Sequence, residues 1–170
     1  AYTNIMAVWV LRCALETLQI LPEDTGEELK EKIGLSESEL EHWYEISRNM
    51  RVVFHDDDII SQFEGYDCLE EFDWAAYQKK YGNIQRLDRL LESENDSTDR
   101  YRVSKQADVL MLFFLFCAEE LSELFSDLGY TFTRDTIPQA IEYYLKRTSH
   151  GSTLSWVVHA WVLIRRDRPQ

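Results

Sequence analysis

Apolar positions recur at helical spacing along most of the chain. Ile5, Val8, Trp9, Leu11, Leu15 and Leu18 predict a helix over residues 4–20. It is apolar nearly all round, which is the pattern of a helix buried on more than one side. Pro22 ends it, and residues 23–33 form a short acidic helix stopped by Gly34. Ser36-Glu37-Ser38-Glu39 reads as a capping box, opening a helix that carries Leu40, Trp43, Tyr44 and Ile46. Residues 52–63 break the pattern: Val52-Val53-Phe54, then His55 and three Asp, then Ile59-Ile60 predict two short strands about a polar turn. Helical patterns resume over 68–80 and 84–94, divided by Gly82-Asn83, and residues 95–99 are a polar loop. Further helices are predicted over 105–117, 118–128 and 134–147, with a last one that follows Thr148–Ser152 and runs to about Arg165. The chain has no internal repeat and no low-complexity tract. Six to eight helices and one hairpin define a mainly α chain, read as a set of helical hairpins.

Composition narrows the function classes. The 170 residues are 45% apolar and 13% aromatic, with 18 basic against 31 acidic side chains and a net charge of -13. That apolar content excludes a disordered acidic tail. The acidity disfavours nucleic acid or an anionic membrane surface as partner, since both need a basic footprint. Residues 1–100 hold 23 acids and 10 bases, whereas residues 101–170 hold 8 of each, so an anion-handling site belongs in the last 70 residues. The longest apolar run, Val109–Ala118, has ten residues, half of the roughly 20 a membrane span needs. Cys13, Cys68 and Cys117 are an odd number without a CxxC pair, which points to a reduced, cytoplasmic compartment.

Three features carry possible chemistry. The first is Ser104-Lys105-Gln106-Ala107-Asp108, in which Ser104 reads as an N-cap and Lys105 and Gln106 as the first turn of an apolar helix. A Lys there opposes the helix dipole, which makes it a candidate for a functional role; spacing alone favours the other reading, an exposed Lys whose stem covers the helix end or pairs with Asp108. The second is Thr148-Ser149-His150-Gly151-Ser152-Thr153, where glycine, hydroxyls and a histidine precede an apolar helix. Converging N–H groups, Ser/Thr hydroxyls and a helix N-terminus suit an anion; the alternative is an ordinary hydroxyl N-cap. It is no Walker A loop. The third is His55-Asp56-Asp57-Asp58 with Glu64, which lacks the ligand spacing of a calcium loop and reads as a solvated turn, with an acid/base pair as the alternative. His159 reads as a satisfied core histidine, and the stripe Trp156, His159, Ala160, Leu163 as core. No metal-ligand set emerges.

Four stretches, in order, resemble glycoside hydrolase family 65: Ala1-Tyr2-Thr3-Asn4, the run His55 to Tyr66, Lys105-Gln106-Ala107-Asp108-Val109-Leu110, and Thr148 to Ser155. That family contains the inverting maltose, trehalose, kojibiose and nigerose phosphorylases. The resemblance implies part of an (α/α) six-hairpin toroid, about the second half of the barrel, over residues 1–170. It implies that phosphate attacks the anomeric carbon while a Glu protonates the leaving sugar, so that an α-glucoside yields β-glucose 1-phosphate. It places Lys105 and Gln106 on the glucosyl unit and Ser149, His150, Gly151 and Ser152 on phosphate. It implies no cofactor, inorganic phosphate as co-substrate and a disaccharide as substrate. Hydrolases of the family place a general base where phosphorylases hold phosphate, so the Ser-His-Gly-Ser loop favours a phosphorylase; a hydrolase and a non-enzymatic helical module are the alternatives. The general-acid Glu, the β-sandwich, the first barrel helices and the C-terminal cap are expected outside this chain. The chain alone is therefore expected to be inactive, and an open half-barrel to form a homo-oligomer or pair with the missing half.

Overall fold

The structure, a computed structural model, describes residues 1–56, 58–151 and 153–166. Among these it is mainly helical, with one two-stranded sheet, as the hydrophobic pattern predicts. The helices are α1 (Tyr2–Ile20), α2 (Glu23–Ile33), α3 (Glu37–Asn49), α4 (Trp74–Tyr81), α5 (Leu87–Ser93), α6 (Asp108–Leu115), α7 (Ala118–Asp127), α8 (Thr136–Leu145) and α9 (Thr153–Arg166). The strands are β1 (Phe54–His55) and β2 (Ile59–Ile60), paired antiparallel with Phe54 opposite Ile60 and His55 opposite Ile59.

The chain forms two compact units. One comprises residues 2–52 and 119–132. Here α1 packs on α3, burying Ile5 and Val8 one turn apart. Trp9, Val10 and Ile20 are exposed, so α1 is buried along one stripe rather than on several sides. Gly34 ends α2 in the left-handed conformation (φ 68°), and the amides of Gly34 and Leu35 return to the carbonyls of Glu31 and Lys30. Ser36 caps α3, its Oγ accepting from the Glu39 amide at 3.2 Å. Arg12 on α1 pairs with Asp127 at the end of α7 at 2.9 Å. Phe125 stacks on Phe132 with ring centroids 4.8 Å apart.

The other unit comprises Ala1, residues 53–118 and residues 133–170. At its centre α6 buries Val109, Leu110, Leu112 and Phe113 within eight residues, and it packs on α8 and α9. Each such side chain contributes about 1.5–3 kcal/mol when buried, which makes α6 the anchor of this unit. Arg165 of α9 donates to the carbonyls of Phe113 and Phe116 at 3.2 and 3.3 Å, where the last carbonyls of α6 need partners. A satellite cluster of Phe72, Leu87 and Leu91, flanked by Trp74, Tyr77, Tyr101 and Val103, fixes α4 and α5. The hairpin is tied to α8 by Tyr144, fully buried, whose hydroxyl donates to the Ile60 carbonyl at 2.6 Å.

The Tyr144 bond generates a stability prediction. Tyr144→Phe keeps the ring and removes the donor, leaving a buried carbonyl short of a partner. It should destabilise the protein by about 1–2 kcal/mol, read as a lower urea midpoint; an unchanged midpoint would show that the bond contributes nothing.

Candidate functional site

The site is organised by residues 101–104, which follow a 3-10 turn over Thr98–Arg100 and are hydrogen-bonded at both ends. At its start the Glu70 amide donates to the Arg100 carbonyl and the Arg102 amide to the Glu70 carbonyl, both at 2.8 Å. At its end the Ser104 amide donates to the Arg147 carbonyl at 2.8 Å, and the Ser149 amide donates to the Ser104 carbonyl at 2.9 Å. Ser104 and Thr148 thus form a parallel bridge, with their hydroxyl oxygens 3.1 Å apart. The Lys105-Gln106 segment and the hydroxyl-rich loop, 44 positions apart in sequence at this bridge, therefore start side by side.

This pairing corrects the expected start of the helix. Ser104 is no N-cap: its amide and carbonyl are committed to the bridge, and α6 begins at Asp108 after an extended Ala107. Lys105 and Gln106 lie in the short link between bridge and helix, so Lys105 is not in conflict with the helix dipole. The first turn instead carries an acid, Asp108, as the dipole favours. Gln62 Oε1, from the stretch running from His55 to Tyr66, accepts from the Asp108 amide at 3.3 Å. Three of the four family-like stretches thus meet in one unit.

Electrostatics reinforce the bridge from outside. Glu71 accepts from Arg147 at 2.6 and 3.2 Å and from Arg102 at 3.3 Å, so one carboxylate holds the residues flanking both sides of the Ser104–Thr148 pair. The Arg147 guanidinium also lies 3.7 Å from the centre of the Tyr143 ring. Arg102 further donates to the carbonyls of Leu69 and Asp67.

Gly151 is where three segments touch. A Cβ added there would lie 2.8 Å from the Gln85 carbonyl oxygen, 3.0 Å from Lys105 Cγ and 3.3 Å from Lys105 Cε. Only glycine admits this approach. The Lys105 stem therefore runs alongside the backbone at Gly151, in the space a side chain there would occupy. Gln85, between α4 and α5, carries no motif; nothing in the local sequence marks it, because its contribution is a backbone carbonyl.

His150 sits in the left-handed region (φ 53°). Its Nδ1 is 3.1 Å from Ser155 Oγ, its ring stacks on Trp156 (4.1 Å, 18°), and it meets His159 edge-on at 4.5 Å. Burial holds the His150 imidazole below its ordinary pKa. His159 is 3% exposed, and neither ring nitrogen has a hydrogen-bond partner among the described residues, so it is a core histidine but not a satisfied one. Burial, helped by His150, lowers its pKa to about 4. The buried stripe of α9 is Ser155, Val158, His159 and Val162, not the expected one. Trp156 and Ala160 are exposed, because the helix turns its 155/158/159/162 face to α6 and α8 while Trp156 covers His150.

The remaining candidates are less constructed. Ser149 is half-buried, its Oγ 3.4 Å from the Ser104 carbonyl. Ser152 and Asp57 lie outside the described residues. Asp56 and Asp58 are exposed turn residues with positive φ, and Asp56 faces Arg102 at 3.7 Å. Among the described residues, no three His, Cys, Asp or Glu side chains are grouped to hold a metal, and no helix is long and apolar enough to cross a membrane.

Comparison with known proteins gives the family of this helical chain. Residues 1–169 match the glycosyl hydrolase family 65 central catalytic domain, and the chain belongs to that family. It is 55% identical over 168 residues to an uncharacterized glycosyl hydrolase of Mycobacterium tuberculosis, covering 99% of this chain and 13% of that protein. It is 34% identical to the trehalose 6-phosphate phosphorylase of Lactococcus lactis, covering 97% of this chain and 20% of the relative. With the kojibiose phosphorylase of Halothermothrix orenii it shares 30% identity, covering 94% and 19%. The chain thus spans a fifth or less of the length of these relatives.

The buried histidines set a pH dependence. The folded pKa of His159, about 4, lies below the ordinary 6.5, so the unfolded chain takes up this proton first. Stability should fall as pH drops from 6.5 towards 4. His159→Leu should flatten the part of this slope that lies above the carboxylate range, with His55 and His150, also held low by burial, supplying the remainder. Urea midpoints measured between pH 6.5 and 5 test this; an unaltered slope in the variant would refute it.

Proposed function

We propose that this chain is part of the catalytic domain of an inverting α-glucoside phosphorylase, cleaving a trehalose-, maltose- or kojibiose-type disaccharide with inorganic phosphate to β-glucose 1-phosphate and a free sugar. The observation that carries this reading is the contact of Lys105 with Gly151 across the Ser104–Thr148 bridge. It sets Lys105, assigned with Gln106 to the glucosyl unit, beside Gly151 of the loop assigned with Ser152 to phosphate. A direct displacement needs that adjacency, because nucleophile and anomeric carbon must be held within a few ångströms of each other. Backbone amides, hydroxyls and a neutral imidazole hold an anion without forming a covalent bond to it. The phosphorylase names of several relatives support the same reading.

The general acid is assigned to the parent protein outside these residues, and phosphate is a co-substrate rather than a cofactor. The compartment is taken as cytoplasmic, and completion of the domain as requiring the rest of the parent or a second copy. The name of the mycobacterial relative favours a second reading, a hydrolase with water as nucleophile; phosphate dependence separates the two.

The test is a phosphorolysis screen of the full-length protein against trehalose, trehalose 6-phosphate, maltose, kojibiose and nigerose. Turnover should require phosphate, and His150→Ala should raise the phosphate KM by about tenfold or more while changing the sugar KM little. An unchanged phosphate KM would remove His150 from the anion site. The purified 170-residue chain should release no sugar phosphate from any of these substrates; clear turnover would place the general acid within it.

A further inference from the structure

His150 combines a backbone conformation that is rare for a non-glycine residue with a ring held on three sides. Such strain persists only where the surroundings over-determine it. Trp156 covers one face of the ring, His159 meets it edge-on, and Ser155 engages Nδ1. Turning the ring over would replace Nδ1 by a carbon and lose the Ser155 bond.

That bond has two possible directions with opposite consequences. If the imidazole donates from Nδ1 to the serine oxygen, a neutral ring leaves a lone pair on Nε2, which repels an anion. If the serine hydroxyl donates to Nδ1, the ring proton resides on Nε2, and the opposite edge becomes a donor. We propose that Ser155 is a positioning residue of the anion site: its hydroxyl donates to His150 Nδ1 and holds the imidazole in the Nε2–H form that donates to phosphate. The proposal deepens the phosphorylase reading and rests on it.

Several observations support this direction. Ser155 is fully buried, so its hydroxyl has no water to turn to. Burial keeps His150 neutral, which makes the tautomer matter. The buried neighbour His159 is held neutral still more strongly, so the ring pair offers a low-dielectric wall rather than a second charge. Chemically, a neutral N–H binds a phosphate dianion without transferring a proton that would tie up the attacking lone pair. An imidazolium would bind more strongly but deactivate the nucleophile it holds. A hydroxyl one turn into α9 thus fixes the state of a side chain in the preceding loop, as outer-layer partners fix the tautomer of metal-bound histidines.

The test uses the full-length protein, labelled with ring-13C histidine, with the His150 signal assigned by its loss in His150→Gln. Wild type should show the Nε2–H tautomer. Ser155→Ala should shift the signal towards a tautomer mixture and raise the phosphate KM on the order of tenfold, with the disaccharide KM unchanged. Ser155→Thr, which keeps the hydroxyl, should recover both. Packing alone predicts that the alanine variant moves neither the tautomer nor the phosphate KM, and that result overturns the proposal. If wild type proves indifferent to phosphate, the phosphorylase reading fails by itself. The tautomer then decides for Ser155: Nε2–H that is lost in Ser155→Ala upholds its positioning role, and Nδ1–H overturns it.

Discussion

The parallel bridge between Ser104 and Thr148 is the constraint on which the rest of the site depends. Two backbone hydrogen bonds, at 2.8 and 2.9 Å, hold together residues far apart in sequence. Everything with chemical potential then issues from its two sides: Lys105 and Gln106 on one, Ser149, His150 and Gly151 on the other. Without it, closing so long a loop would cost entropy that a Lys–Gly contact alone does not repay. The surrounding structure protects this pairing. The Glu71 carboxylate grips both Arg102 and Arg147, and α6 and α9, which follow the two segments, are packed together and linked through Arg165.

Partition of charge follows the same logic. The acidic excess belongs to residues 1–100, and Glu71, from that stretch, is paired with both Arg102 and Arg147, while Asp56 faces Arg102 at 3.7 Å. The negative charge of Glu71 is therefore offset beside the bridge. The loop beyond the bridge presents amides, hydroxyls and an imidazole rather than a row of cations. On the phosphorylase reading, the dianion is held through fixed dipoles, which need no reorganisation when charge moves. The nearby Lys105 adds one positive charge whose stem passes beside Gly151.

Local rules made part of this legible. The Ser36 cap, the Gly34 stop and the hairpin about the Asp turn were readable because each depends on residues within a few positions. The two motif stretches were readable as unusual for their residue types. What the sequence concealed is non-local. Ser104 looks like a cap because serine before an apolar run normally is one; its backbone is instead claimed by Arg147 and Ser149. The α9 stripe was displaced because periodicity marks an apolar face but not which neighbours receive it. Leu154, Val157 and Trp161 make α9 apolar on almost every side, so Ser155 gives no local sign of being buried, whereas His159 is read as core from its place between Val158 and Ala160. Gln85 contributes a carbonyl, which any residue possesses.

The buried imidazole of His159, without a hydrogen-bond partner among the described residues, shows how stability and site geometry are coupled. Burying two polar nitrogens that no described residue engages costs free energy, and an aliphatic side chain would serve the core better. Its position edge-on beneath His150 makes sense if the ring above must be flanked by something flat, polarisable and neutral. Leucine would fill the volume but would not offer an aromatic edge to the imidazole face. The cost of His159 is then borne by α6 and the rest of the α9 face, whose apolar burial exceeds what one orphaned ring removes. The histidine loop can hold its strained backbone because the helix that follows it is the most firmly packed partner α6 has in this unit.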